Sequence, residues 1–284
     1  MPADDRAPPP DLLDQVRRAL AEDVGAGDVT AALVPAEAIA NATVITREPA
    51  VICGQPWFDQ VFAQLSAQVR VEWCVPEGAG VAADTLLCKL GGPARSILTG
   101  ERTALNFLQT LSATATATRQ YVDAVAGTAC RILDTRKTLP GLRTAQKYAT
   151  RIGGAQNHRM GLYDAVLIKE NHIAAAGSIA AAIGRARATT RAWIEVEVEN
   201  MGELQEALSA RPDVIMLDEF PLESMRAAVK MTRAADNGVK LEASGGVSLD
   251  RVREIAATGV DYVSIGSITK HVRAVDLSMR FSDS

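Results

Sequence analysis

From Cys130 onward, six short apolar runs recur, at 131–133, 165–168, 193–198, 214–217, 239–241 and 262–265. Helical stretches fall between most of them, at 178–188, 203–210, 222–233 and 249–258. Strand alternating with helix predicts a parallel sheet joined by right-handed crossovers. No GxGxxG follows the first run, which favours an α/β barrel over a dinucleotide-binding sheet.

The first hundred residues read differently. An amphipathic helix is expected over 11–21, with Leu12, Leu13, Val16 and Leu20 on one side, and Gly25-Ala26-Gly27-Asp28 breaks it. Strand-like runs at 42–46, 69–75, 85–90 and 94–98 surround one helix-like stretch, 57–65. Pro76-Glu77-Gly78 and Gly91-Gly92-Pro93 read as turns. This is the pattern of a small α/β domain with an antiparallel sheet. Leu105, Leu108 and Leu111 then mark a helix, and the small residues of 112–118 are read as continuing it.

Composition narrows the function classes. Apolar residues make up 48% and charged residues 23% of 284, ordinary for a globular protein with a sizeable core. A formal net charge of −4 argues against nucleic-acid binding. Cys53, Cys74, Cys88 and Cys130 form no CxxC pair and read as buried, reduced thiols. His158, His172 and His271 form no HxxxH pair, which disfavours a transition-metal site built from protein alone. Met1–Pro10 lacks the basic start and apolar centre of a signal peptide, and no run is long enough for a membrane span. The expectation is a cytoplasmic protein with a frayed start.

Polar residues gather where the apolar runs end. Asp134-Thr135-Arg136-Lys137-Thr138-Leu139-Pro140-Gly141 follows the first run and Lys169 the second. Glu195, Glu197 and Glu199 mark the third, and Asp218 ends the fourth. Glu242-Ala243-Ser244-Gly245-Gly246 ends the fifth and Gly266-Ser267 the sixth. In a parallel α/β barrel the active site forms at these C-terminal strand ends. With Asn157-His158-Arg159, five cationic or potentially cationic side chains collect at strand ends or turns: Arg136, Lys137, His158, Arg159 and Lys169. So local a cluster implies a small, highly anionic ligand. Arg136 and Arg159 suit planar carboxylates, which a guanidinium binds with two parallel hydrogen bonds; Lys137 and Lys169 suit phosphate charge. Ser244-Gly245-Gly246 and Gly266 let backbone N–H groups approach a sugar phosphate. Glu197 and Asp218 cannot face phosphate directly. A bound Mg²⁺ or sugar hydroxyls would reconcile them with it. The three glutamates share one face of a strand, and inside a helix-covered barrel that face points inward and needs partners.

These segments resemble a known family, quinolinate phosphoribosyltransferase. The resemblance is carried by Asp134-Thr-Arg-Lys-Thr-Leu-Pro-Gly-Leu-Arg143, Gly153-Gly-Ala-Gln-Asn-His-Arg159, Leu167-Ile-Lys-Glu-Asn-His172, Glu195-Val-Glu-Val198, Leu217-Asp218 and Leu241-Glu-Ala-Ser-Gly-Gly246, with Glu101-Arg-Thr-Ala-Leu-Asn106. It implies an N-terminal α/β sandwich over 1–100, completed by the tail at 272–284, and an open, incomplete parallel α/β barrel over 101–271. It implies a pentosyltransferase that joins quinolinate to phosphoribosyl pyrophosphate with loss of CO₂, giving nicotinate mononucleotide and pyrophosphate for NAD synthesis. Arg136, His158, Arg159 and Lys169 would line the quinolinate pocket, with Arg102 entering from the neighbouring subunit of a homodimer or higher oligomer. Lys137, Glu197, Asp218, Ser244, Gly245, Gly246 and Gly266 would serve the phosphoribosyl donor, and Glu197 and Asp218 its magnesium. Lys137, Lys169, Glu197 and Asp218 would be the catalytic groups. Ala113 and Ala155 stand where many members have glycine; at positive φ, Ala155 would carry a strain of roughly 1 kcal/mol.

Three rivals predict different residues. A Schiff-base aldolase would need Lys169 but not the surrounding cations. An enzyme for a mono-acid would need fewer cations than Arg102, Arg136, His158 and Arg159 supply. A non-catalytic sensor would not need Glu197, Asp218 and Lys169 together.

Overall fold

The computed structural model describes residues 7–281. The frayed start expected at Met1–Pro10 lies, as far as Arg6, outside the described residues, as does 282–284 of the tail. The α-helices and strands begin with α1 (Leu12–Val24), β1 (Ile39–Thr46), β2 (Ala50–Val51), α2 (Gln55–Leu65), β3 (Arg70–Trp73), β4 (Gly80–Val81), β5 (Leu86–Pro93) and α3 (Ala94–Ala124). Then come β6 (Arg131–Leu133), α4 (Arg143–Gly153), β7 (Ala165–Ile168), α5 (Glu170–Ala176), α6 (Ile179–Thr189), β8 (Trp193–Val198) and α7 (Met201–Ala210). The chain closes with β9 (Val214–Asp218), α8 (Leu222–Ala235), β10 (Lys240–Ser244), α9 (Val252–Ala256), β11 (Tyr262–Ser264), α10 (Ser267–Lys270) and β12 (Leu277–Phe281). Two compact units interleave along it. One holds the residues up to Arg119, Thr138–Gly154 and those from Ser267; the other holds Gln120–Lys137 and Ala155–Gly266.

The first unit is built on an antiparallel sheet of order β12-β1-β5-β3. Its core draws Val16 from α1, Trp57, Phe58 and Phe62 from α2, Leu87 and Leu90 from β5, and Leu105, Leu108 and Leu111 from α3. The buried Trp57 indole donates to Gln15 Oε1 at 2.8 Å, so the one polar atom of that large side chain is satisfied. Three cysteines, Cys53, Cys88 and Cys130, are buried free thiols as expected; Cys74 is free but exposed.

The structure departs from the sequence expectation at two neighbouring places. The run 94–98, read as a strand, is the first turn of α3. Its apolar residues Ala94, Ile97 and Leu98 stand at i, i+3 and i+4, the helical period. Gly91-Gly92-Pro93 is not a turn but the end of β5, paired with Asn41, Ala40 and Ile39 of β1. A Cβ at Gly92 would lie 2.9 Å from both the Gln68 carbonyl oxygen and the Val69 Cα. The glycine permits close backbone approach rather than chain reversal. Gly92→Ala is therefore expected to destabilise the protein by roughly 1–3 kcal/mol. Denaturant unfolding measures this, and an unchanged midpoint would mean that the 66–69 turn yields without cost.

The reading of 112–118 as helix holds. Thr116 and Thr118 hydroxyls donate to the carbonyls of Ser112 and Thr114, both at 2.7 Å, so polar side chains are satisfied within α3.

The second unit is a six-stranded parallel sheet of order β6-β11-β10-β9-β8-β7. Four of the expected crossovers appear as α6, α7, α8 and a short α9. Ile194, Val196, Val198, Ile215, Leu217, Leu241, Ala243 and Val263 are buried, as strands covered on both faces require. The edge strands β6 and β7 do not pair with each other, so the barrel-like sheet stays open. Beside β6, Gln156 forms a parallel bridge to Leu133.

Candidate active site

All the sequence-predicted site residues except Arg102 belong to the second unit. Most lie at or just beyond the C-terminal ends of its parallel strands; His158 and Arg159 lie in the segment before β7, just after Gln156, which bridges to Leu133 of β6. Arg102 is exposed on α3 in the first unit.

At the end of β6 the fully buried Asp134 organises its surroundings. It accepts from Asn157 Nδ2 at 2.6 Å and from the His158 backbone N–H at 2.8 Å. Those bonds tie the 155–159 segment to the strand end and place His158 and Arg159 beside Arg136. Ala155 carries no left-handed strain. Among the described residues the non-glycine positive-φ positions are Asp84, Arg211, Glu219 and Asp236.

Lys137 is exposed and crosses the end of β11. A Cβ at Gly266 would lie 2.9 Å from Lys137 Cδ, so glycine there leaves room for the lysine stem. After β10, Gly245 and Gly246 take φ values of 96° and 54°. A Cβ at Gly245 would stand 2.4 Å from Glu219 Cγ. The Glu219 N–H, at φ 53°, donates to the Ser244 carbonyl at 3.0 Å. Two tight turns thus interlock at adjacent strand ends, leaving the half-buried Asp218 beside Ser244, its register partner.

Cations dominate one side. The Lys169 ammonium is ion-paired with the Glu197 carboxylate. Arg159 donates to the Ala165 carbonyl at 3.3 Å. Burial, then the like charge of Arg136, makes its guanidinium easier to deprotonate than usual; Glu195 and Asp164 oppose this. Two guanidiniums held together in a partly buried place are what a dianionic ligand would relieve.

Beneath them lies a group the sequence reading did not assemble. His158 Nε2 is 2.8 Å from Glu195 Oε2 and 3.6 Å from Glu242 Oε2, and all three side chains are buried. Burial pushes the Glu195 carboxyl up to about 7 and holds Glu242 well above the usual range, with Glu195 itself adding to the latter. The inward face expected of Glu195 is found, and its partner is His158. Glu199, expected on the same face, is instead exposed beyond β8. His158 Nδ1 accepts from the Arg159 backbone N–H at 2.7 Å.

A cavity of about 590 Å³ in the first unit is lined by Arg18, Glu22, Asp23, Thr103, Asn106 and Phe107, among others. Two carboxylates against one arginine give it the wrong sign for a polyanion.

Comparison with known proteins identifies the family. Residues 28–112 match the quinolinate phosphoribosyl transferase N-terminal domain, and residues 114–280 match the C-terminal domain of the same family. A probable nicotinate-nucleotide pyrophosphorylase (carboxylating) of Synechocystis is 43% identical over 92% of this chain and 89% of its own length. The nicotinate-nucleotide pyrophosphorylase (carboxylating) of Mycobacterium leprae is 43% identical over 94% of this chain and 95% of its own. The solved nicotinate-nucleotide pyrophosphorylase of Francisella tularensis superposes with a TM-score of 0.93 at 44% identity, covering 98% of each chain. Matched across both of its domains, the chain belongs to the quinolinate phosphoribosyl transferase family.

Proposed function

We propose that the protein transfers the phosphoribosyl group of phosphoribosyl pyrophosphate to quinolinate with decarboxylation, giving nicotinate mononucleotide, pyrophosphate and CO₂ for NAD synthesis. The observation that carries this reading is the cation set at one end of the parallel sheet in a chain that matches both domains of the family. Arg136, Arg159 and Lys169 take the two ring carboxylates, and Arg102 of a second copy joins them in a homodimer. His158 lines this pocket and contributes position rather than charge. Lys137, Ser244, Gly245, Gly246 and Gly266 hold the donor's phosphates.

The pyridine nitrogen attacks the anomeric carbon as the bond to pyrophosphate breaks. Positive charge develops on the ribose, and Glu197 and Asp218 stabilise it through hydroxyl contacts or directly. Lys137 neutralises the departing pyrophosphate. The donor set also fits magnesium, which prefers hard oxygen ligands: Asp218 is half-buried at its strand end, while Glu197 already carries the Lys169 ammonium. Asp218 directly, and Glu197 through water or substrate oxygens, would hold the ion, which would supply charge for the leaving group. Decarboxylation then leaves an electron pair on the ring carbon beside the now cationic nitrogen, and that carbon takes up a proton. No protein nucleophile is needed, so Lys169 acts as a charge partner. The described residues contain no helix long and apolar enough to cross a membrane, and we place the enzyme in the cytoplasm.

The deciding assay supplies phosphoribosyl pyrophosphate and Mg²⁺ with either quinolinate or nicotinate. Quinolinate is expected to yield nicotinate mononucleotide and CO₂, and nicotinate to yield no product. Turnover of nicotinate alone would overturn the reading.

A further inference from the structure

The buried group formed by His158, Glu195 and Glu242 adjoins Arg159, and the Glu197 charge also reaches Glu195. The three side chains are only 7%, 0% and 1% exposed. Hydrogen bonds fix the state of the imidazole. Nδ1 lies 2.7 Å from the Arg159 backbone N–H, which always donates, so Nδ1 carries a lone pair. The ring proton is therefore on Nε2, and a buried N–H needs an acceptor. Glu195 Oε2 supplies it at 2.8 Å, with Glu242 Oε2 behind at 3.6 Å. The other side of the ring is held too: Trp193 lies at 5.4 Å between ring centroids, and the His158 N–H is bonded to Asp134.

The same three ligand atoms lie close enough together to resemble a cation site. A metal on Nε2 would require the lone pair there and a proton on Nδ1. That proton would point at the Arg159 N–H, so the hydrogen bonding argues against a metal.

We propose that Glu195 and Glu242 are positioning residues that lock His158 as the neutral Nε2–H tautomer and, through Nδ1, hold Arg159 where it receives a carboxylate of the acceptor acid. The claim about Arg159 rests on the function proposed above; the claim about the tautomer does not. Arg159 connects the two because its N–H is bound to the imidazole and its guanidinium reaches the Ala165 carbonyl at 3.3 Å. Its backbone is thus fixed at one end and its side chain at the other.

The test uses the whole enzyme labelled with ¹⁵N-histidine, whose three histidines give few ring signals. At pH 7.5 the buried ring is expected to show the Nε2–H pattern in the wild type. Glu195→Gln keeps an acceptor oxygen and is expected to keep both this pattern and near-normal kinetics. Glu195→Leu removes the acceptor; the pattern should be lost and the KM for quinolinate should rise about 10- to 100-fold, with kcat within about threefold. The KM for phosphoribosyl pyrophosphate should stay unchanged. Glu242→Leu provides a second readout if Glu195→Leu does not fold: it removes the more distant acceptor oxygen, and its expected effect is a smaller rise in the same KM. An Nδ1–H or imidazolium pattern in the wild type would overturn the proposal whatever the enzyme's substrate. So would stoichiometric Zn²⁺ binding that removes the Nε2–H signal. If the tautomer is as expected but quinolinate is not turned over, the proposed function fails and the tautomer assignment stands.

Discussion

Replacing Arg136 by alanine is expected to raise the KM for quinolinate by roughly 30- to 1,000-fold, corresponding to about 2–4 kcal/mol for a charge-assisted pair lost from a partly buried place. The KM for phosphoribosyl pyrophosphate should change only a few-fold. The asymmetry follows from where Arg136 stands. It neighbours Arg159 closely enough for the two like charges to disfavour one another, and both emerge beside the Asp134 anchor. A dianion that bridges them gains attraction from both and removes their mutual repulsion. Lys137, one residue further on, crosses towards Gly266, on the proposed donor side. The two neighbouring residues should therefore divide their effects between the two substrates. Equal increases in both KM values would take Arg136 off the acceptor side.

Asp134→Ala is expected to cost about 2–5 kcal/mol of stability. Its carboxylate is completely buried and accepts from Asn157 Nδ2 and the His158 backbone N–H. Alanine leaves both donors without that acceptor, the His158 N–H buried and the Asn157 amide half-buried. Asp134→Asn retains one acceptor oxygen and should cost less, about 1–2 kcal/mol. Denaturant unfolding gives both numbers. The quinolinate KM of the asparagine variant should rise as well, because His158 and Arg159 hang from the segment that Asp134 holds. An alanine variant within about 0.5 kcal/mol of wild type would mean that other bonds hold the 155–159 segment.

The architecture of the second unit was legible because buried parallel strands are short and apolar, and their ends carry polar residues in order. In the first unit the reading failed where local chemistry had two meanings. Gly91-Gly92-Pro93 has turn composition, yet β5 runs through it because the backbone around Gln68 approaches closely. The helix α4 was not read at all, although Ala145, Tyr148, Ala149 and Ile152 stand at helical spacing and are buried. That signal was available. The polar partners were not: Glu195 could be placed on an inward face, but nothing local marks His158 or Glu242 as its neighbours. Those three side chains come from distant parts of the chain and meet only when the sheet is formed.

The order of the open sheet also governs when its cation-bearing end can exist. The first strand of the unit, β6, pairs with the last, β11, across about 130 residues of chain. Contacts of such high sequence separation form late and slowly, because the intervening loop must be closed before they add stability. Until β11 is made and docked, the strand leading to Asp134, Arg136 and Lys137 lacks its only paired neighbour among the named strands. On a ribosome, the opposite edge from β7 to β10 can assemble first. The strand carrying Asp134, Arg136 and Lys137 at its end is then seated only when β11 pairs with β6.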